Sequence, residues 1–508
     1  MKILLMNPPA RRFVRCQHPS FPLGLGYVAS ALVADGHEVD IYDAEWGPDF
    51  PAVMKPVEHP LQDMALHWHR YFEALNAPQH PVWTEVRQVL RERDPDVLGI
   101  TCRVLDLASA RVVAGIAKSL NPAVRIVLGG PATSTCGEMI WQSEHVDFAV
   151  RGEGEITAVE LLRALQRGGR CEGILGLSYR ASSGVVHNPA RPLIEDLGTL
   201  PYPARERLLF TDWLPKRKVE FMMGEVVSSR GCPYRCGFCA IRSVWGGGGA
   251  RMRKPDDVVA EVRRQHDQYG ARFITFWDDL FTADRARAIA LCDRLREMRA
   301  GVQWLCLVRA NTIDDDLLAR MKDAGCVQVQ MGVESGSDRI LRKMRKGIRL
   351  ARMRRAAEMI HRAGLSFHAF LLIGIPSETR EEIQATMRLI PELDPDVVEL
   401  SVFSPYPGSP FYEELRAADR LSEQDWLTAD FLNIGRCHTG TLSAEEYREL
   451  ALSCLRECDE HNNRKARQGR PAADIGSSAA LPGAPADRSS PRQTRRCETV
   501  AESLGGSH

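Results

Sequence analysis

The chain carries no surplus of either charge: 66 lysines and arginines balance 66 aspartates and glutamates, for a formal net charge of zero. With the signs interspersed, a nucleic-acid surface or an anionic membrane face is excluded as the main business, because both need a basic excess. No apolar run approaches the length of a bilayer span. The first such run, residues 3–6, is stopped by Pro8 and Pro9 short of a signal-peptide core, so a cytoplasmic protein is expected. Cysteine is not scarce, but the 14 residues are scattered and lack the density of a disulfide scaffold, which fits a reducing compartment. The stretch from about residue 465 to 508 has no Phe, Trp or Tyr, and such a tail has too little apolar surface to order itself.

At 508 residues the chain exceeds one ordinary core, and two or three domains are expected. Short apolar runs at residues 3–6, 39–42, 97–100, 126–128 and 148–150 alternate with helical periodicity at 23–34, 83–91, 107–120 and 156–165. That alternation predicts an α/β, doubly wound, Rossmann-like domain over residues 1–185. Residues 44–81 break the rhythm and read as an insertion without an assigned role, and the proline-rich, charged stretch 186–215 reads as a linker. Six further apolar runs, at 226–228, 273–277, 304–308, 327–333, 367–373 and 397–403, are separated by helices such as 255–269 and 284–299. They predict a partial (β/α)6 barrel of the TIM type over residues 216–415, followed by a small helical region at 416–464.

Three thiols fall in the run Cys232-Pro-Tyr-Arg-Cys236-Gly-Phe-Cys239, in the loop after the first barrel strand, where barrel sites form. A disulfide leaves one of the three unpaired, and a closed zinc site needs a fourth protein ligand that the flanking residues do not offer. An iron-sulfur cluster held by three thiolates leaves one iron open to an exchangeable ligand. The order C-x3-C-x2-C, with Phe238 before the last cysteine, resembles the signature of the radical S-adenosylmethionine superfamily. The resemblance implies a 4Fe-4S cluster on Cys232, Cys236 and Cys239 whose open iron binds S-adenosylmethionine. An electron from an external donor such as flavodoxin or ferredoxin then releases a 5'-deoxyadenosyl radical. Cys454, Cys458 and His461, one helical turn apart, read as a packed helical face rather than a zinc site.

The loops of the first domain are rich in glycine: Pro22-Leu23-Gly24 after the first strand, Gly129-Gly130-Pro131 after the fourth, and Gly152-Glu153-Gly154-Glu155 after the fifth. Glycine there admits positive φ and lets the backbone approach a large flat ligand. None of these loops carries G-x-G-x-x-G at the first turn, so a nicotinamide cofactor is disfavoured. As an ordered set they resemble the N-terminal cobalamin-binding domain of one large class of radical S-adenosylmethionine enzymes, and all of Pro22, Leu23, Gly24, Gly129, Gly130, Pro131, Gly152, Glu153, Gly154 and Glu155 are then expected at the cofactor. His37 reads as a turn residue, since Asp40 stands where a cobalt-ligating motif has glycine, and His18 lies in the first loop without a motif around it.

Other candidates sit at barrel strand ends. Asp278 and Asp279 offer one carboxylate for cofactor or substrate and one for a helix cap, or both as caps. Glu334 and Ser335 resemble the family's ribose-binding element, Gly374 its loop beside the adenine, and Arg309 suits a carboxylate or a structural ion pair. His368 reads as a satisfied core histidine. The combined resemblance implies a cobalamin-dependent methyltransferase that moves a methyl group from S-adenosylmethionine, through methylcobalamin, to an unactivated carbon of a small natural-product or tetrapyrrole-like substrate. The alternative is a non-methylating enzyme of the same build, an oxidative cyclase or ring-rearranging enzyme.

Overall fold

Runs rich in Ile, Leu and Val make the strands of an N-terminal sheet: β1 (Lys2–Asn7), β2 (Glu38–Asp43), β3 (Val97–Thr101), β4 (Arg125–Gly129) and β5 (Phe148–Val150). The computed structural model describes residues 1–14, 20–48, 59–422, 425 and 432–469. The five strands are parallel in the order β2-β1-β3-β4-β5, and an antiparallel hairpin, β6 (Leu177–Ala181) and β7 (Gly184–His187), extends the sheet beyond β5. Helices Leu23–Ala34, Pro81–Arg93, Leu107–Leu120 and Gly154–Gln166 alternate with the strands. The order reverses between β1 and β3, so the loops after β1, β3, β4 and β5 gather on one carboxyl edge, where such sheets bind ligands.

The second sheet begins with β8 (Glu225–Val226). A small antiparallel pair follows, β9 (Ser229–Arg230) with β10 (Arg251–Met252). Then come β11 (Phe273–Phe276), β12 (Gln303–Val308), β13 (Cys326–Glu334), β14 (Ser366–Ile373) and β15 (Val397–Val402). Six parallel strands in the order β8-β11-β12-β13-β14-β15, with helices between them, make the partial barrel. Strand β8 stops earlier than residue 228, because Asp278 Oδ1 takes the amides of Ser228 and Ser229 at 2.6 and 3.0 Å. Side-chain caps start the covering helices: Asp284 accepts from Arg287 N, Asp314 from Leu317 N, and Thr379 forms a reciprocal box with Glu382.

Two segments gain a place. Residues 186–215 do not hang between domains: Leu197, Leu208 and Leu214 are buried, and Leu209 N donates to Ile41 O of β2 at 2.8 Å. The insertion contributes helices Pro60–His67 and His69–Leu75. Asp459, on the C-terminal helix Ala444–Arg467, accepts from Leu61 N at 3.2 Å and Gln62 N at 3.1 Å. That helix also lies along β15, where Asn462 Oδ1 accepts from Val398 N at 2.8 Å. The C-terminal helix thereby ties the barrel edge to the N-terminal domain. Asp459→Ala is expected to cost about 1 kcal/mol, the usual loss for an N-terminal helix acceptor, and to speed hydrogen exchange in residues 60–67 first. The C-terminal helix runs to Arg467, past residue 464. Residues 470–508, His18 and residues 49–58 of the insertion lie outside the described residues. Among the described residues, no helix is long and apolar enough to cross a membrane.

Candidate active site

The loop after β8 is held by its backbone, which leaves its thiols free for ligation. Gly231 N donates to Asp279 Oδ2 at 2.8 Å, Gly237 N donates to Met344 O at 2.7 Å, and Gly237 O accepts from Phe411 N at 2.8 Å. Cys232, Cys236 and Cys239 are half-buried, free thiols. Burial raises the Cys232 thiol and pushes Cys239 up to about 12, so a metal cluster must displace protons to bind. Among the described residues no three His, Cys, Asp or Glu side chains converge tightly enough to hold a single metal ion. Three thiols in one loop suit a cubane with one open iron, whereas a closed zinc site takes four protein ligands. His461, instead of meeting Cys454 and Cys458 at a metal, bonds Pro395 O through Nε2 at 2.8 Å.

Arg309, at the end of β12, lies with its guanidinium 3.7 Å from the centre of the Tyr234 ring and donates from Nη1 to Cys236 Sγ at 3.6 Å. Its Nε donates to Asn311 Oδ1 at 2.9 Å, and its buried Nη2 has no hydrogen-bond partner. Glu334 ends β13 at φ +69, a left-handed conformation that costs a side-chain-bearing residue strain. Its Oε1 accepts from Lys346 Nζ at 2.6 Å, and that ammonium sits 5.9 Å from the centre of the Phe238 ring.

Three candidates make hydrogen bonds within the scaffold. Asp278 is 1% exposed and spends its carboxylate on the amides of Ser228 and Ser229 and the Ser228 hydroxyl, so it holds the start of the cluster loop. Asp279, pushed up to about 6 by burial, holds the cluster loop through Gly231. Ser335 is buried among Thr386 Oγ1 at 3.4 Å and Ser337 N at 3.2 Å, so it packs the helix Arg380–Leu393 against the strand end. Gly374, at φ +87, is required by a neighbour in the fold: a Cβ there would lie 2.2 Å from Tyr447 Oη of the C-terminal helix.

On the carboxyl edge of the first sheet, a Cβ at Gly24, Gly129 or Gly152 would meet open space. Gly130 differs. Its φ of +91 and the approach of Thr101 Oγ1 at 2.8 Å and Cys102 O at 2.9 Å to a built Cβ require glycine for the chain itself. Pro22 precedes the helix Leu23–Ala34 and Pro131 opens the short helix Pro131–Thr135, while a Cβ at Gly154 would lie 3.2 Å from Val28. His37 sits in the turn before β2, 3.4 Å from Asp35 Oδ2, as a turn residue should. Glu153 and Glu155 depart from expectation. Both are buried, and Arg230 of β9 bonds Glu153 Oε1 through Nη1 and Glu155 Oε1 through Nη2, each at 2.7 Å. Arg251 Nη1 reaches Glu153 Oε2 at 2.9 Å, and the Arg230 guanidinium is flanked by Tyr27 at 5.0 Å and Trp245 at 5.6 Å from the ring centres. Burial works against the Arg230 charge, but Glu155 and Glu153 more than offset it and hold its pKa above the ordinary value. The two carboxylates therefore join the domains, one residue pair away from Cys232, instead of lining the open edge.

Residues 68–162 match the B12 binding domain, and residues 226–390 match the Radical SAM superfamily. Over 431 residues the chain is 34% identical to an uncharacterized methyltransferase of Pyrococcus horikoshii, covering 84% of this chain and 85% of that protein. The chain belongs to the cobalamin-binding radical S-adenosylmethionine enzymes. It is also 29% identical over 364 residues to the anaerobic magnesium-protoporphyrin IX monomethyl ester cyclase of Rubrivivax gelatinosus, covering 68% of this chain and 63% of that one. In fold it matches the radical S-adenosylmethionine methyltransferase TsrM of Kitasatospora setae with a TM-score of 0.63 at 20% identity, over 82% of this chain and 78% of that one.

The cofactors of this radical S-adenosylmethionine enzyme are a 4Fe-4S cluster, S-adenosylmethionine and cobalamin. The residues present fit them. Three spaced thiols beside a fixed arginine suit an anionic cluster, and the side-chain-free edge at Gly24, Gly129 and Gly152 suits a broad, flat corrin. Sequence reasoning missed Arg230, Tyr234 and Lys346. For Arg230 a signal was available: an arginine directly before Gly231-Cys232 is the last side chain that can anchor the cluster loop.

Proposed function

We propose that the protein is a C-methyltransferase, carrying a methyl group from S-adenosylmethionine by way of cobalamin to a carbon of a small molecule. The observation that carries this reading is the Arg230 junction, which seats the β5 loop of the cobalamin-type domain against the start of the cluster loop. When bound, the cluster and S-adenosylmethionine supply a carbon-centred radical and cobalamin supplies a methyl carrier. The chain's own part is to hold the two against one substrate and keep water out. Beside the cluster, the unpartnered Nη2 of Arg309 and the amide of Asn311 suit the methionine carboxylate. Glu334 keeps Oε2 for ribose hydroxyls while Lys346 holds Oε1. A small redox protein of the flavodoxin or ferredoxin kind is the proposed electron source.

The relative from Pyrococcus horikoshii is named a methyltransferase, and the cyclase from Rubrivivax gelatinosus keeps a non-methylating reaction as the second reading. Anaerobic incubation with reductant, cobalamin and methyl-labelled S-adenosylmethionine separates the two. Methyl transfer is expected to place label in a carbon-bound product alongside 5'-deoxyadenosine. Product formed with 5'-deoxyadenosine but without label would decide for the cyclase-type reaction.

A further inference from the structure

The inner face of the partial barrel sets polar side chains among its aliphatic ones, whereas closed eight-stranded barrels fill that space chiefly with branched aliphatic residues. Strand register stacks its inward residues in layers: Thr275 with Leu305, Gln328 and Ser366, then Leu307 with Gln330, His368 and Val397, then Gly332 with Phe370 and Glu399. Phe367 points the opposite way, its ring 6.1 Å from that of His361 on a covering helix, which fixes the inward parity. Trp277, just past β11 and on the inward side, is 45% exposed. Thr275 Oγ1, Gln328 Oε1 and both ring nitrogens of His368 are buried without hydrogen-bond partners. His368 is 4% exposed, and burial holds its ring neutral, at about 3. The ring is therefore buried but not satisfied, against the expectation of an ordinary core histidine. Its Nε2 stands 3.6 Å from Glu399 Oε2, too far for a direct bond, and Glu399 also feels the charge of Arg11 from the first domain. Native proteins keep orphaned buried polar atoms where something else satisfies them.

We infer that this inner face seats the substrate, and that His368 and Glu399 together grip a neutral hydroxyl or N–H group on an otherwise apolar, ring-bearing molecule. The inference deepens the function proposed above and rests on it. A hydroxyl seated beside the pair accepts from the imidazole N–H and donates to the carboxylate at once, which satisfies both groups. Phe370, with its ring 4.6 Å from that of His368, and the exposed face of Trp277 offer apolar walls for the ring. A phosphate or carboxylate is a poor occupant. It would face the Glu399 carboxylate, whose charge repels it, and Lys346 is taken by Glu334.

Phenol, anisole and phenyl phosphate are matched probes, and saturation-transfer NMR on the reconstituted holoenzyme reads their binding under anaerobic conditions. Phenol is expected to bind, with affinity lowered about tenfold in both His368→Phe and Glu399→Gln, a loss typical of one hydrogen bond to a buried partner. Anisole is expected to bind weakly and equally to all three proteins, and phenyl phosphate not to bind. The electron paramagnetic resonance signal of the cluster checks that each variant is folded and loaded. Should His368→Phe lose that signal, the near-isosteric Glu399→Gln decides alone. Equal phenol affinity in wild type and Glu399→Gln, or phenyl phosphate binding tighter than phenol, overturns the inference. Wild-type 5'-deoxyadenosine formation, measured in the same preparation, tests the enzymatic reading separately: its absence sinks that reading, and its presence beside unchanged phenol binding sinks only the substrate seat.

Discussion

With Cys236 replaced by alanine, the reconstituted protein is expected to lose its iron-sulfur absorption and to form no 5'-deoxyadenosine, while binding cobalamin as the wild type does. Two thiolates leave a second iron of the cluster without a protein ligand, and a cluster so held exchanges or falls apart. The loss should fall on the cluster alone, because the loop does not depend on the Cys236 side chain for its shape. Gly231 stays on Asp279, Gly237 stays between Met344 and Phe411, and none of these bonds uses a thiol. The open glycine edge at Gly129 and Gly152 belongs to the other sheet, so its ligand should be retained. Arg309 Nη1 loses its sulfur partner but keeps Asn311 and the Tyr234 ring, which limits the stability cost to about 1–2 kcal/mol. Absorption spectra of the two cofactors and chromatographic detection of 5'-deoxyadenosine read all three outcomes. Full turnover in this variant would overturn the assignment of the cluster.

What could be read in advance depended on how local its cause was. Helices Leu23–Ala34, Leu107–Leu120 and Pro255–Tyr269 have the bounds that apolar periodicity and the flanking Pro and Gly residues indicate, because those signals are set within one or two turns. The three cysteines were legible for the same reason: eight residues contain the whole ligand pattern. Glu153 and Glu155 were not, because their partner Arg230 lies 77 and 75 residues further on. A Gly-Glu-Gly-Glu loop at a strand end looks alike whether its carboxylates face a ligand or a buried guanidinium. Gly374 misled in a related way: its positive φ was foreseeable, but the group that comes close is Tyr447 from the C-terminal helix. The insertion was opaque because its helix Pro60–His67 finds its acceptor, Asp459, almost a whole chain away. His368 was misjudged because a strand pattern tells which face a residue lies on, not whether its ring nitrogens find partners there.

Replacing Arg230 by methionine is expected to destabilise the protein by about 3–5 kcal/mol, the cost of leaving buried carboxylates without their cation. Arg251 still reaches Glu153, so the deficit falls chiefly on Glu155, whose Oε2 is already buried without a partner. Adding Glu155→Gln should therefore recover part of the loss, and a double-mutant cycle on the denaturant midpoint measures the coupling. A methionine keeps much of the packing against Tyr27 and Trp245, which separates the lost charge from lost volume. The functional consequence differs from that of the cysteine variant. Arg230→Met leaves Cys232, Cys236, Cys239 and the glycine edge in place, so both cofactors should load. What weakens is the strut that fixes the cluster loop against the β5 loop, and misplacement on the scale of an ångström is enough to spoil a reaction between two bound groups. If the proposed methyl transfer holds, the ratio of 5'-deoxyadenosine to methylated product is then expected to rise severalfold, with radical formation outrunning transfer. An unchanged ratio at a lowered denaturant midpoint would mean that Arg230 serves stability alone; an unchanged midpoint would mean that the buried pair is replaceable and the junction is held elsewhere.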